Sequence, residues 1–237
     1  MKSDAHAMTV DTASALDDVP RLMALMTGAE KHEPSATSTL DVLWVLYDQV
    51  LNVTPETIDH PDRDRFVLSK GHGPMAFYAV LAANGFIPQE WLAPFGTRDS
   101  PLGHHPDRLL VPGVEFSSGS LGHGLGAAVG LAHGLQIQES PARVVVLLGD
   151  AEYDEGSNSE AVAYAGAVGL DNLTAVVIDN QSASHGWRGG IGARFDTEGW
   201  LTHDVNGRDH SALLDAFTTT HPGRPTAVIA HVEPKKG

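Results

Sequence analysis

The chain has 237 residues and a formal net charge of −15, from 15 basic and 30 acidic side chains, and it has no cysteine. The length is enough for one large α/β domain with its own hydrophobic core. The acidic excess argues against a protein that binds nucleic acid or an anionic membrane, and the lack of cysteine excludes disulfide bonds and thiolate chemistry.

The first 18 residues are polar and have no regular apolar spacing, so we expect a flexible N-terminal arm (1–18) before a single domain (19–237). They lack the apolar core of a signal peptide, and no apolar run reaches the length of a membrane span, so we expect a cytoplasmic protein. Apolar residues at helical spacing predict a short helix over 18–29. A loop that contains His32 follows, and then a helix over 40–50.

Residues 62–73 combine a charged turn, a short apolar strand and a glycine-rich loop that contains His72. A proline then suits the first turn of a helix, which we predict over 74–84. Residues 85–115 are rich in Gly, Pro and His and indicate irregular connections, within which His105 lies.

Glycines recur at positions 119, 122, 124 and 126 and lead into an Ala/Gly-rich helix that we predict over 122–138. Glycines let a ligand or another backbone approach closely, and a loop at a helix start offers amide donors to an anion. Taken alone, such a loop is a weak indication of a binding site.

Two apolar runs, 144–148 and 174–178, flank a helical segment, which predicts a βαβ unit in a buried parallel sheet. Ligands bind such sheets at the carboxyl ends of the strands, where Asp150 and Asn180 follow the two runs. A carboxylate and an amide carbonyl side by side are hard oxygen donors that suit Mg²⁺ or Ca²⁺. The predicted fold class is therefore α/β, with a parallel sheet flanked by helices.

The pattern Ser157-x-x-Glu160 is a capping box, which predicts that Ser157 caps the helix between these two strands. Residues 187–206 are rich in glycine and are predicted to be a connection. A helix over 209–220 and a last strand over 225–232 complete the predicted elements.

Several of these stretches together resemble transketolase. The run from Asp62 to His72, Asp-Arg-Asp-Arg-Phe-Val-Leu-Ser-Lys-Gly-His, is close to a family signature. The segment Gly119-Ser-Leu-Gly-His-Gly is similar to the family's glycine-rich run. The turn Gly149-Asp-Ala-Glu, followed downstream by Asn180, resembles the family's thiamine diphosphate motif. The resemblance covers residues 20–235 and corresponds to the diphosphate-binding domain.

This resemblance implies thiamine diphosphate and Mg²⁺ (or Ca²⁺) as cofactors. It places the metal on Asp150, Asn180 and the backbone carbonyl of Ser182. The cofactor-binding residues that it implies are His72, Gly119, Ser120, Leu121, Gly149, Asp150, Ala151, Glu152 and Asn180. The catalytic residues that it implies, in the donor channel or between active sites, are His32, His72, His105 and Glu155.

The resemblance also implies an activity that requires a partner. Transketolases transfer a two-carbon ketol unit from a ketose phosphate to an aldose, and a glutamate of their pyrimidine domain activates the cofactor. This sequence lacks that domain. The implied protein is therefore the N-terminal subunit of a split transketolase. Its partner would be a C-terminal subunit with the pyrimidine and C-terminal domains, in an α₂β₂ assembly.

Two departures from the family pattern leave other functions open. Ala151 replaces a glycine of the metal turn, which excludes a backbone with positive φ, and the loop around His32 is altered. We therefore expect either a specialised sugar substrate or partial loss of the ordinary activity. These changes also leave open a non-catalytic scaffold derived from a transketolase half. A further alternative is the α subunit of a thiamine-dependent 2-oxo acid dehydrogenase, which shares the cofactor motif and the split architecture.

Overall fold

Five parallel strands form the central sheet in the computed structural model, which describes residues 12–26 and 37–234. They lie in the order β1-β2-β3-β5-β4, and all neighbours are parallel. The predicted α/β fold class is confirmed. The strands are β1 (Arg65–Leu68), β2 (Val144–Gly149), β3 (Leu173–Asp179), β4 (Leu201–Asn206) and β5 (Thr226–His231).

Helices cover both faces of the sheet. α1, α2, α3 and α7 pack on one face, and α4, α5 and α6 pack on the other. Within the described ranges, no helix is long and apolar enough to cross a membrane. The helices are α1 (Thr12–Met23), α2 (Leu40–Val45, continued by a π-helical turn at Leu46–Val50), α3 (Met75–Ala83), α4 (Gly124–Ile137), α5 (Gly156–Val168), α6 (Gly190–Thr197) and α7 (His210–Thr218).

The central strands β2 and β3 are buried on both faces. Successive side chains of a strand point to opposite sides of the sheet, so Val145 joins the core under α1, whereas Val144 and Val146 join the core under α4. Burial on both sides explains why these strands are continuous apolar runs rather than alternating ones. The predicted βαβ unit of β2, α5 and β3 is confirmed.

Helix α1 begins and ends earlier than predicted. It spans Thr12–Met23 rather than 18–29, so residues 12–18, which we assigned to the flexible arm, are helical. The apolar face of α1 that packs into the core includes Val19 and Leu22, both fully buried. Leu25, which lies beyond the last residue of α1, is 39% exposed. Residues 1–11, the rest of the predicted arm, lie outside the described residues.

The stretch 187–206, predicted as a connection, contains α6 and β4, so that prediction was wrong. β4 is an edge strand, and β5 is its partner in the sheet. Its side chains are half-buried or exposed, and Asp204 and Asn206 are the exposed ones. An edge strand of this kind carries no apolar run, so periodicity does not reveal it.

A buried carboxylate fixes the start of the first strand pair. Asp64, which precedes β1 and is 3% exposed, accepts hydrogen bonds from the backbone N–H groups of Asn52 (3.0 Å) and Arg143 (2.8 Å). The Arg143 guanidinium also contacts it, at 2.7 Å from Nη2. Asp64 therefore connects Asn52, which follows α2, to Arg143, which immediately precedes β2.

Candidate active site

The site lies where β2 and β3 end, side by side, at the carboxyl edge of the sheet. Gly149, the last residue of β2, pairs with Ile178 of β3, and Asp150 and Asn180 follow the two strand ends. Both side chains are buried, with 1% and 3% exposure. The parallel register therefore brings these two predicted residues to adjacent positions, as their placement in the sequence indicated.

Asp150 holds the loop that follows β3. Its Oδ2 accepts hydrogen bonds from the backbone N–H groups of Ser182 (2.7 Å) and Ala183 (3.2 Å). Its Oδ1 accepts one from the Ser182 hydroxyl (2.6 Å) and one from the N–H of Ala151 (2.8 Å). The Ser182 residue, predicted to offer its carbonyl to a metal, is thus held directly beside Asp150.

The side-chain oxygen of Asn180 is buried and has no hydrogen-bond partner in the structure. A buried acceptor without a partner is unfavourable, and native proteins rarely leave one without a reason. No cluster of three or more His, Cys, Asp or Glu side chains that could hold a metal occurs among the described residues. The donors available here are therefore a carboxylate, an amide oxygen and backbone carbonyls, which is the set that fits a hard divalent cation.

Ala151 adopts an ordinary right-handed helical backbone, with φ −65° and ψ −34°. The expectation that alanine would disturb a turn requiring positive φ therefore does not apply to this chain. Alanine is compatible with this conformation, and it begins the 3₁₀ turn at Glu152–Asp154.

We expect the substitution Ala151→Gly to destabilise the protein rather than to restore function. Glycine gains conformational freedom in the unfolded chain, so the free energy of unfolding should fall by about 0.4–1 kcal/mol. Urea unfolding followed by circular dichroism measures this change. An increase in stability, or a tighter metal site in the glycine variant, would contradict the assignment of an unstrained Ala151.

The carboxylate of Glu152 points into the protein. It is 1% exposed and accepts hydrogen bonds from the hydroxyl of Ser69 and from the N–H groups of Gly122 (3.0 Å) and Gly149 (3.3 Å). Burial raises the pKa of Glu152, whereas these hydrogen bonds and the nearby charge of Lys70 lower it. Its side chain therefore connects segments beneath the site, and the predicted cofactor contact would have to involve its backbone.

The predicted histidine loops meet at Gly119. Gly119 has φ +138°, and a Cβ there would lie 2.8 Å from Cδ2 of His105, so the imidazole packs directly on the glycine. A Cβ on Gly71 would lie 2.8 Å from the Gly119 nitrogen. His72, which follows Gly71, is half-buried. The structure thus brings the His72 and His105 segments to the same loop, of which Ser120 and Leu121 are the next residues.

Glu155 is exposed at the start of α5, where it occupies the N-cap position without a side-chain capping bond. Its side chain packs beside Gly122, since a Cβ on that glycine would lie 2.6 Å from Cβ of Glu155. The predicted cap by Ser157 was wrong, because α5 begins at Gly156 and the Ser157 hydroxyl donates to the carbonyl of Gly122 (2.7 Å). The Ser157 hydroxyl therefore bonds a residue distant in the sequence instead of the first turn of its own helix.

Two residues that we did not predict also shape the site. Asp154 accepts hydrogen bonds from the N–H groups of Ser184 (3.0 Å) and His185 (3.3 Å), which orders the loop after Asn180. Ser69 binds Glu152 and accepts a hydrogen bond from the N–H of Gly124 (3.1 Å). Only Ser69 had a sequence signal, its place in the Ser-Lys-Gly-His run. His32 lies outside the described residues.

A cleft of about 230 Å³ opens beside Asp150. Its walls come from the ends of β2 and β3, from the loop after Asn180 and from the start of α6. The lining residues are Asp150, Asp179, Gln181, Ala183, His185, Trp187, Gly190 and Ile191. The site is therefore open to a ligand from the carboxyl edge of the sheet.

This fold and site match a known family. Residues 21–232 match the family described as transketolase, thiamine diphosphate binding domain, and the chain belongs to that family. Among solved structures, the transketolase from Leishmania mexicana is 26% identical with a TM-score of 0.78, and the match covers 94% of this chain. It covers 36% of the Leishmania chain, so this protein spans about a third of that transketolase's length.

Two curated relatives are similar over most of their own length. A protein from Actinobacillus succinogenes, named as one subunit of an apulose-4-phosphate transketolase, is 37% identical over 207 residues, covering 84% of this chain and 75% of the relative. The protein named ferredoxin fas2, from Rhodococcoides fascians, is 56% identical over 222 residues, covering 93% of this chain and 73% of the relative.

The name ferredoxin does not describe the chemistry of this chain. Ferredoxins hold their iron–sulfur clusters through cysteine thiolates. The 237 residues contain no cysteine, so they supply no such ligand. The match to this relative covers 93% of the chain, so it overlaps residues 21–232, which match the transketolase family.

Proposed function

We propose that this chain is the thiamine diphosphate-binding subunit of a two-component transketolase. In this role it takes part in transferring a two-carbon ketol unit from a ketose phosphate to an aldose. The observation that carries the proposal is the buried, unpartnered oxygen of Asn180 next to the buried carboxylate of Asp150. An ion at this position would give the Asn180 oxygen the partner that the protein does not supply, whereas a scaffold gives that oxygen no role.

The Mg²⁺ ion would be held by the Asp150 carboxylate, the Asn180 amide oxygen and the Ser182 carbonyl. Gly149, Ala151 and the segment Gly119–Leu121 would contact thiamine diphosphate, with backbone amides available to an anion. When bound, the cofactor supplies the electron sink for carbon–carbon bond cleavage, and the protein supplies position and electrostatics.

The histidines would bind the sugar and move its protons. An imidazole can accept the proton of a sugar hydroxyl and return it to the product, and His72 and His105 would do so here. The contact with Gly119 fixes the ring of His105. His32 would complete this group, and exposed Glu155 would face a second active site across the contact between two protomers.

A second subunit is part of the proposal. The Actinobacillus relative, of which the match covers 75%, is itself named as one subunit of a transketolase. We propose that a C-terminal subunit supplies the pyrimidine domain and its activating glutamate, and that two copies of each chain form an α₂β₂ assembly. The name of the Actinobacillus relative favours a sugar phosphate as substrate.

Co-purification from source cells tests the proposal. We expect the tagged chain to bring down an equal amount of a subunit with a pyrimidine-type domain, and the pair to bind thiamine diphosphate only with Mg²⁺. Turnover of sugars by the chain alone would refute the need for a partner. A chain that purifies alone, without activity or cofactor binding, would favour the scaffold instead.

A further inference from the structure

Glu152 is a buried acid for which the proposed reaction has no step. Its carboxylate receives three hydrogen bonds, all from donors elsewhere in the site: the Ser69 hydroxyl, the Gly122 N–H and the Gly149 N–H. Burial raises the pKa of this carboxyl, and the nearby charge of Lys70 opposes that effect. A buried carboxyl group that accepts three hydrogen bonds has a strong geometric preference, since a buried polar group left without its partner is costly.

The three donors belong to three segments that are distant in sequence. Ser69 follows β1, Gly149 ends β2, and Gly122 lies in the loop just before α4. The next peptide group of the loop is also held, because the carbonyl of Gly122 accepts a hydrogen bond from the Ser157 hydroxyl (2.7 Å). Glu152 is thus the point at which the glycine-rich loop is tied to the sheet.

Gly124, the first residue of α4, packs directly against Ser69, which follows β1. The N–H of Gly124 donates to the Ser69 hydroxyl (3.1 Å), and a Cβ on Gly124 would lie 2.2 Å from that oxygen. The bonds therefore form a chain from Gly124 through Ser69 to Glu152, and from Glu152 to Gly122. Removing its central acid would leave backbone donors buried without partners.

We propose that Glu152 is a positioning residue that holds the Gly119–Leu121 segment in the conformation that receives thiamine diphosphate. It acts through Gly122 and Ser69 and does not itself touch the cofactor. The inference rests on the proposed function for the identity of the ligand. The ordering of the loop by Glu152 stands on the contacts alone and can be measured without any cofactor.

Hydrogen exchange with mass spectrometry on the full chain, without cofactor, tests the ordering. The isosteric variant Glu152→Gln presents an N–H₂ group where only acceptors fit, so the amides of Gly122 and Gly149 should exchange roughly tenfold faster or more. Peptides from β4 should keep their wild-type rate, which separates local loosening from global destabilisation. The exposed variant Glu90→Gln is the matched control and should exchange as wild type.

The milder variant Ser69→Ala covers the case in which Glu152→Gln does not fold. It removes one donor and should accelerate exchange at Gly122 and Gly124 to a smaller extent. Wild-type exchange rates in the loop of both variants would overturn the proposal.

Titration of the complex with thiamine diphosphate and Mg²⁺ then tests whether the ordered loop is needed for cofactor binding. Roughly tenfold weaker binding by Glu152→Gln, with Glu90→Gln unchanged, supports the proposal, since outer-shell contacts typically contribute 10–100-fold to site affinity. Loosened loops with unchanged affinity would overturn it. If even the wild-type complex binds no thiamine diphosphate, the proposed function fails and the positioning for that cofactor fails with it, while the exchange data still show whether Glu152 orders the loop.

Discussion

Replacing Asn180 with alanine is expected to abolish metal-dependent cofactor binding while leaving the protein folded. Changes one shell away from a metal already weaken metal sites by about 10–100-fold, so loss of a direct ligand should weaken the site by at least about 100-fold. The free energy of unfolding without metal should change by less than about 1 kcal/mol, because the amide oxygen has no protein partner to lose.

Two measurements on the same variant separate these effects. Isothermal titration of the complex with thiamine diphosphate, with and without Mg²⁺, reports the site, and urea unfolding in EDTA reports stability. Asn52→Ala, an exposed asparagine on another edge of the domain, should change neither. Wild-type affinity in Asn180→Ala would show that Asn180 is not a ligand, and a large loss of stability would show that its oxygen has a structural partner.

Replacing Asp64 with alanine is expected to have the opposite effect, a large loss of stability without a direct effect on the site. The variant leaves the buried N–H groups of Asn52 and Arg143 without an acceptor and the Arg143 guanidinium without its counter-ion. Each donor left without its acceptor costs about 1–3 kcal/mol, whereas the lost ion pair adds little, because the Arg143 side chain is 37% exposed and solvent screens its charge. Part of the transketolase-like Asp-Arg-Asp-Arg run therefore serves the fold and not the chemistry.

Urea unfolding of Asp64→Ala measures this loss, with exposed Asp59→Ala as its control. The control should stay within about 0.5 kcal/mol of wild type, as surface substitutions usually do. A decrease of less than about 1 kcal/mol for Asp64→Ala would mean that the network around Asp64 contributes little net energy.

The parts of the fold that could be predicted are those in which burial dictates composition. β2 and the central part of β3 are continuous apolar runs because both of their faces are covered. The ends of these runs predicted where Asp150 and Asn180 lie. β4 was missed because an edge strand needs no apolar run. Its hydrogen bonds to β5 depend on a partner that lies later in the chain.

Within the site, the residue types were predictable but the directions of the side chains were not. Glu152 stands in a motif typical of cofactor binding, yet its carboxylate turns inward because donors from two distant segments meet beneath it. Ser157 likewise does not cap α5, because its hydroxyl donates a hydrogen bond to the carbonyl of Gly122. Local sequence cannot reveal such choices, because the competing partner is supplied by tertiary structure. The predicted roles of His32, His72, His105 and Glu155 remain predictions.

The pairing of β1 with β2 has a consequence for synthesis of the chain. Arg65 pairs with Val144, 79 residues later. At about 5–20 residues per second, β1 therefore waits roughly 4–16 s on the ribosome for its neighbour. During that interval the apolar residues Phe66, Val67 and Leu68 have no neighbouring strand to pair with. The charged residues Asp62–Arg65 stand directly before them, and natural sequences place such charges beside apolar strands to oppose aggregation.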